Sequence, residues 1–164
     1  AETGHMVFGT LHTNSAMGTV NRIIDAFPGN LQDQIRTQLS TALVGIVAQT
    51  LLPKIGGGRC AAYEILVVTS GIANLIRENK TFRIGSAIQT GAKFGMQLMD
   101  DALFNLWREE KVTIEDILGK AANPDDLAKR ILNAQRGIMD DPAAGKEDIN
   151  TPKAGGHEIG RAHV

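Results

Sequence analysis

One cysteine, Cys60, is all the chain has. A single thiol excludes an internal disulfide and any four-cysteine zinc site, and it fits a reducing compartment. No apolar run approaches the length that spans a bilayer, and no signal peptide is visible, so direct membrane insertion is not expected. Charge is nearly balanced at a formal −1, which removes any general pull on nucleic acid or on an anionic membrane. A nucleotide phosphate loop is missing as well: Gly-x-x-x-x-Gly-Lys-Ser/Thr occurs nowhere. The two Gly-Lys pairs, Gly119-Lys120 and Gly145-Lys146, run on into Ala121 and Glu147. What remains is ordinary for a globular protein, with 43% hydrophobic and 21% charged residues. The 164 residues are enough for one domain and require no second core. Residue 1 is alanine and stands just ahead of a core-like stretch, which leads us to expect an N-terminally truncated chain.

The chain is organised around its first fifteen residues. Met6, Val7 and Phe8 form a short apolar run between His5 and His12, followed by the polar string Thr10, His12, Thr13, Asn14 and Ser15. That pattern predicts a strand with polar groups at its C-terminal end, where ligands bind in open α/β sheets. Ser15 or Asn14 caps the helix that follows, with Ala16, Val20, Ile23, Ile24 and Phe27 on its apolar face and Pro28-Gly29-Asn30 ending it. A second helix carries Leu31, Ile35, Leu39, Leu43, Ile46 and Val47, and presents Gln32, Asp33, Arg36 and Gln38 outward.

Two strands are expected at Gln49–Ile55 and Arg59–Val68, joined as a hairpin by Gly56-Gly57-Gly58, with Pro53 at an edge or bulge. Thr69 or Ser70 starts a helix over Gly71–Glu78, and residues 81–90 form another around Phe82, Ile84 and Ile88. Met96–Lys111 is helical, with Met99, Ala102, Leu103, Leu106 and Trp107 as core. Thr113–Asp116 is a capping box, and Asn123-Pro124 opens a last helix to about Gln135. Residues 137–164 hold few apolar side chains and are expected to be disordered. The last seven, Glu158–Val164, match what a common sequencing-library adapter encodes and are expected not to be native.

Local chemistry is sparse. His5 and His12 are seven positions apart and would point to opposite faces of one strand, so they cannot share a metal. A zinc site is therefore not expected. Spacing alone favours a hydrogen-bonded loop role for His12. Asp100-Asp101 and Glu109-Glu110 are carboxylate pairs on a helix, where neighbours do not share a face, and they read as solvated surface.

Residues 4–16, Gly4-His-Met-Val-Phe-Gly-Thr-Leu-His-Thr-Asn-Ser-Ala16, closely resemble the His box of the secretion ATPase superfamily that powers type IV pili and type II secretion. Gly71-Ile-Ala-Asn-Leu-Ile-Arg-Glu78 resembles the Ala-Ile-Arg-Asn-Leu-Ile-Arg-Glu motif of its twitching-motility branch, the pilus-retraction ATPases. Arg22–Pro28, Ser86–Gly91 and Gly95–Gln97 are similar to the same branch. The resemblance runs from Ala1 to about Asn133. The lone cysteine and the Asn-Leu-Ile-Arg-Glu segment both set this chain apart from pilus-extension and type II secretion ATPases.

The resemblance implies an α/β fold: the C-terminal part of a RecA-like P-loop ATPase domain (1–68), followed by a small helical bundle (69–136). It implies a homo-hexameric motor that binds ATP and Mg²⁺ between subunits and acts on a pilus platform protein at the cytoplasmic (inner) membrane, cytoplasmic and peripheral to it. His5 and His12 match the two His box histidines; His12 is the stronger candidate for facing the γ-phosphate, with Thr10 and Thr13 beside it. Asn74, Leu75, Ile76, Arg77 and Glu78 match the retraction motif, whereas Gly71 and Ala73 depart from it, Ala73 replacing its first arginine. The Walker A loop, the acidic box and the Walker B carboxylates that hold Mg²⁺ are expected upstream of Ala1, so this polypeptide alone is expected to be inactive. The alternatives are a non-catalytic accessory paralogue and a secretion or pilus-extension ATPase.

Overall fold

A computed structural model describes residue 1 and residues 3–138. The expected disordered tail from residue 139 onward, and the adapter-like 158–164 with it, lie outside the described residues. Ser15 has extended backbone, and its Oγ accepts from Gly18 N at 3.1 Å, capping α1 (Ala16–Asp25). Ala16, Val20 and Ile24 recur every fourth position and are all buried. Phe27, expected on that face, lies beyond the helix end and is 40% exposed.

A 3₁₀ turn (Gly29–Leu31) leads to α2 (Gln32–Ala42). The helix does not run on to Ile46 and Val47 as its apolar pattern suggested. Val44-Gly45-Ile46-Val47 combines a glycine with β-branched side chains that lose χ1 freedom in a helix, and these residues open β1 (Gly45–Pro53) instead. Arg36, expected outside, is buried. It shares a helical face with Ser40 and its side chain is 10% exposed, while its Nε stays 3.9 Å from Asp33 Oδ1 and makes no hydrogen bond among the described residues.

β1 pairs antiparallel with β2 (Arg59–Val67), in register from Gly45 opposite Val67 to Pro53 opposite Arg59. Gly56, Gly57 and Gly58 all take positive φ (+86°, +107° and +80°), so the hairpin loop needs residues without a Cβ. Ile46, Ala48 and Leu52 are buried together with Ala62, Glu64 and Leu66, while Val47, Leu51, Tyr63 and Val67 on the other face are exposed.

Thr69 Oγ1 accepts from Ile72 N and caps α3 (Ser70–Arg77). The stretch 81–90 divides into a 3₁₀ turn (Thr81–Arg83) and α4 (Ile84–Gln89). α5 (Met99–Arg108) begins three residues later than its apolar spacing suggested. Gln97 is held extended against β2, donating to Ile65 O at 3.0 Å and accepting from Ile65 N at 2.8 Å. Thr113 caps α6 (Ile114–Leu118), and Pro124 opens α7 (Pro124–Gln135).

Two apolar clusters share the hairpin. Ile46 and Leu66 pack with Val20, Ile24, Ile72, Ile76 and Ile88 from α1, α3 and α4. Leu52 and Ala62, near the glycine loop, pack with Leu103, Ile117, Leu127 and Ile131 from α5 to α7. Leu103 is fully buried in the second cluster. Leu103→Ala is expected to destabilise the protein by about 3 kcal/mol, measured by chemical denaturation.

The carboxylate pair Asp100-Asp101 is partly exposed, as expected of surface charge, and also holds structure in place. Asp100 accepts from Ala122 N (2.8 Å) and Asn123 N (2.9 Å), holding the loop before α7. Asp101 pairs with Arg130 at 2.8 Å, and that guanidinium lies 4.7 Å from the Phe104 ring centroid. Glu109 and Glu110 are exposed, with Glu109 bonded to Lys111 at 2.6 Å.

Candidate functional site

The stretch expected to be the leading strand forms no strand. Met6, Val7 and Phe8 are 76%, 64% and 91% exposed. A strand persists only where a neighbour takes up its backbone N–H and C=O groups. Among the described residues the sheet has two strands, β1 and β2, and neither pairs with residues 6–8.

The polar loop that follows is anchored at its C-terminal end. Thr19 Oγ1 donates to Ser15 O at 2.8 Å, so the Thr13 hydroxyl is the donor in its 2.6 Å bond to Thr19 Oγ1. Thr13 is thereby fastened to the first turn of α1. Thr10 and His12 stay exposed just before it, and His5 is exposed beside Thr3, with Thr3 Oγ1 and His5 Nδ1 3.1 Å apart. The loop thus presents an imidazole, hydroxyls and an amide immediately ahead of a helix N-terminus, an arrangement suited to phosphate oxygens.

Behind this loop lies a residue that sequence reasoning missed. Glu64, on the buried face of β2, accepts from Ala16 N at 2.7 Å through Oε1 and from Met99 N at 3.3 Å through Oε2. A buried carboxylate is tolerated only when donors replace its water, and here two helix starts supply them. The signal was alternation: Ala62, Glu64 and Leu66 share one face of the strand. Apolar residues on the opposite face as well, among them Tyr63 and Val67, hid which phase points inward.

The second group of candidates sits on α3. Ile72 and Ile76 are buried and Leu75 is half-buried, so Asn74, Arg77 and Glu78 share the exposed side. They form a connected polar edge. Arg77 Nη1 donates to Asn74 Oδ1 at 2.8 Å, Asn74 Nδ2 donates to Glu78 Oε1 at 3.4 Å, and Lys80 Nζ donates to Glu78 Oε2 at 2.7 Å. The Lys80 hydrogen bond and charge, with a smaller effect from Arg77, hold the Glu78 carboxyl below its ordinary pKa. Leu75 lines an open groove of about 510 Å³ between α3 and α4, with Ile72, Arg83, Ala87 and Phe94.

Comparison with known proteins defines the class. The family model for type II/IV secretion system proteins matches residues 1–57. The crystal structure of the pilus retraction motor PilT with bound ADP superposes with a TM-score of 0.71 and 48% identity, covering 79% of this chain and 36% of that one. The fold is therefore that of the C-terminal portion of a secretion ATPase domain. The type IV pilus retraction ATPase PilT of Pseudomonas aeruginosa is 48% identical over 127 residues, 77% of this chain and 37% of its own length. A twitching motility protein of Neisseria gonorrhoeae is 44% identical over 129 residues, 78% of this chain and 34% of its own. Over most of its length the chain is a homologue of the twitching-motility ATPases, and it spans about a third of the length of these relatives.

Proposed function

We propose that this chain is the C-terminal part of a motor ATPase that couples ATP hydrolysis to type IV pilus retraction. The carrying observation is a match over 127 residues, 48% identical to a retraction ATPase, together with the superposition of the fold on a retraction motor. On this reading residues 1–68 complete a RecA-like core and 69–136 form its helical appendage. The whole protein works as a cytoplasmic homo-hexamer, peripheral at the inner membrane, pushing on a pilus platform protein.

The related motor holds ADP, and on this reading the loop here faces the terminal phosphate of the nucleotide, the γ-phosphate when ATP is bound. Thr10 and His12 are the exposed donors, with Thr13 beside them holding the loop through Thr19, and residues 10–15 contain no carboxylate that would ligate Mg²⁺. The resemblance assigns the Mg²⁺ ligands to other segments of the full-length parent, and the imidazole of His12 to a γ-phosphate oxygen or to water, with His5 the second His box position. Charge developing on the phosphoryl oxygens is stabilised by donors already in place. Asn74 to Glu78 are assigned to transmission rather than to nucleotide, with Ile76 and Leu75 packed and Arg77 free to contact a neighbour.

The test compares two purified proteins. The full-length parent is expected to hydrolyse ATP as a hexamer, and its gene to be needed for pilus retraction. The 164-residue chain alone is expected to show no turnover above buffer. Turnover by the chain alone, or a parent that never hydrolyses ATP, sinks this reading.

A further inference from the structure

Glu64 is unusual among the core positions of the hairpin. Its strand neighbours on the same face are Ala62 and Leu66, and the residue across from it is Ala48. An apolar side chain would continue the pattern, yet a carboxylate stands there with both oxygens engaged. Each bond completes a helix start that local residues leave incomplete. In α1 the Ser15 hydroxyl takes Gly18 N and leaves Ala16 N for Glu64. In α5 the residue before the helix is Leu98, which has no capping side chain, and Met99 N turns to Glu64. The pairing of Gln97 with Ile65 brings Met99 within reach.

One end of this bridge lies four positions after His12. Ala16 begins α1, and α1 carries Thr19, the acceptor that fastens Thr13. The other end begins the helix at the centre of the second apolar cluster. We propose that Glu64 is a positioning residue: its carboxylate sets the start of α1, and through Thr13 the placement of His12, against the start of α5. This rests on the reading of His12 as a nucleotide-facing residue. A shift of the loop by a fraction of the reacting distance is enough to slow a step that depends on donor placement.

Glu64→Gln in the full-length hexamer is the test. Glutamine keeps one oxygen for Ala16 N or Met99 N and turns its amide toward the other, so one contact is lost without a change of shape. The expected result is a fall of about tenfold in kcat, with KM for MgATP within about twofold and hexamers retained. In a His12→Ala background the same change is expected to have almost no further effect, because both act through one group. Leu66→Val, a packing change on the same strand face, is expected to lower the Tm with kcat unchanged. Wild-type kcat in Glu64→Gln overturns the proposal, as does loss of the folded hexamer or a full additional tenfold loss on top of His12→Ala. A kcat loss in Leu66→Val that tracks its Tm, as in Glu64→Gln, also overturns it by making the role purely structural. Wild-type turnover in His12→Ala alone defeats the underlying reading instead, whatever Glu64→Gln does.

Discussion

Replacing His12 with alanine in the full-length parent is expected to lower ATP turnover about a hundredfold and to leave hexamers and thermal stability unchanged. The two halves of that expectation come from different observations. His12 is exposed, so its removal opens no cavity. Its neighbours keep the loop in place without it: Thr13 remains bonded to Thr19, and Ala16 N to Glu64. On the proposed reading, what is lost is one donor to the phosphoryl oxygens, and catalysis is sensitive to such a donor because charge grows there in the transition state. Steady-state hydrolysis with size-exclusion chromatography on the same preparation checks both halves, and wild-type turnover removes the γ-phosphate role.

Arg77→Ala is expected to abolish pilus retraction in cells while the purified variant keeps most of its ATP turnover. Arg77 is on the exposed side of α3, and its one side-chain bond among the described residues, to Asn74, stays within its own helix. Such a surface pair contributes little to stability. The neighbouring Ile76 is fully buried, so Ile76→Ala is the contrasting case, disrupting the protein itself. If Arg77→Ala retracts pili normally, α3 serves only as packing. If hydrolysis falls with retraction, Arg77 belongs to the nucleotide site and not to transmission. The Ala73 position makes this variant informative, since Arg77 is the one arginine of the motif that this chain retains.

Apolar spacing after a Ser15 cap was enough to locate α1, the Thr69-Ser70 start to locate α3, and Asn123-Pro124 to locate α7, because a helix start is set by neighbouring residues. The hairpin was legible from Gly56-Gly57-Gly58, whose positive φ angles leave little choice of residue. Spacing failed where an element's state depends on a neighbour. Ile46 and Val47 fit a helical stripe in projection, but Leu66 and Ile65 lie opposite them on β2. Met6–Phe8 read as a strand, and a strand is decided by what pairs with it. Asp100 and Asp101 looked like solvated charge because the groups they hold, Ala122 N, Asn123 N and Arg130, lie more than twenty positions away.

The sequence by itself determined the resemblance on which the proposed function rests: the residues around His12 and the Asn74–Glu78 segment carry it, and their order along the chain is unaffected by folding. It also determined that no Gly-x-x-x-x-Gly-Lys-Ser/Thr phosphate loop occurs within these 164 residues. Only the tertiary structure decided how the candidates are held. Thr13 is fixed by Thr19, while Arg77 and Asn74 are turned outward by the burial of Ile72 and Ile76. Glu64 ties the start of α1 to that of α5 from a position 48 residues beyond Ala16. The physical reason is range. Caps and turns are settled by groups a few residues apart, whereas a buried carboxylate is stable only where the fold brings distant N–H donors to it.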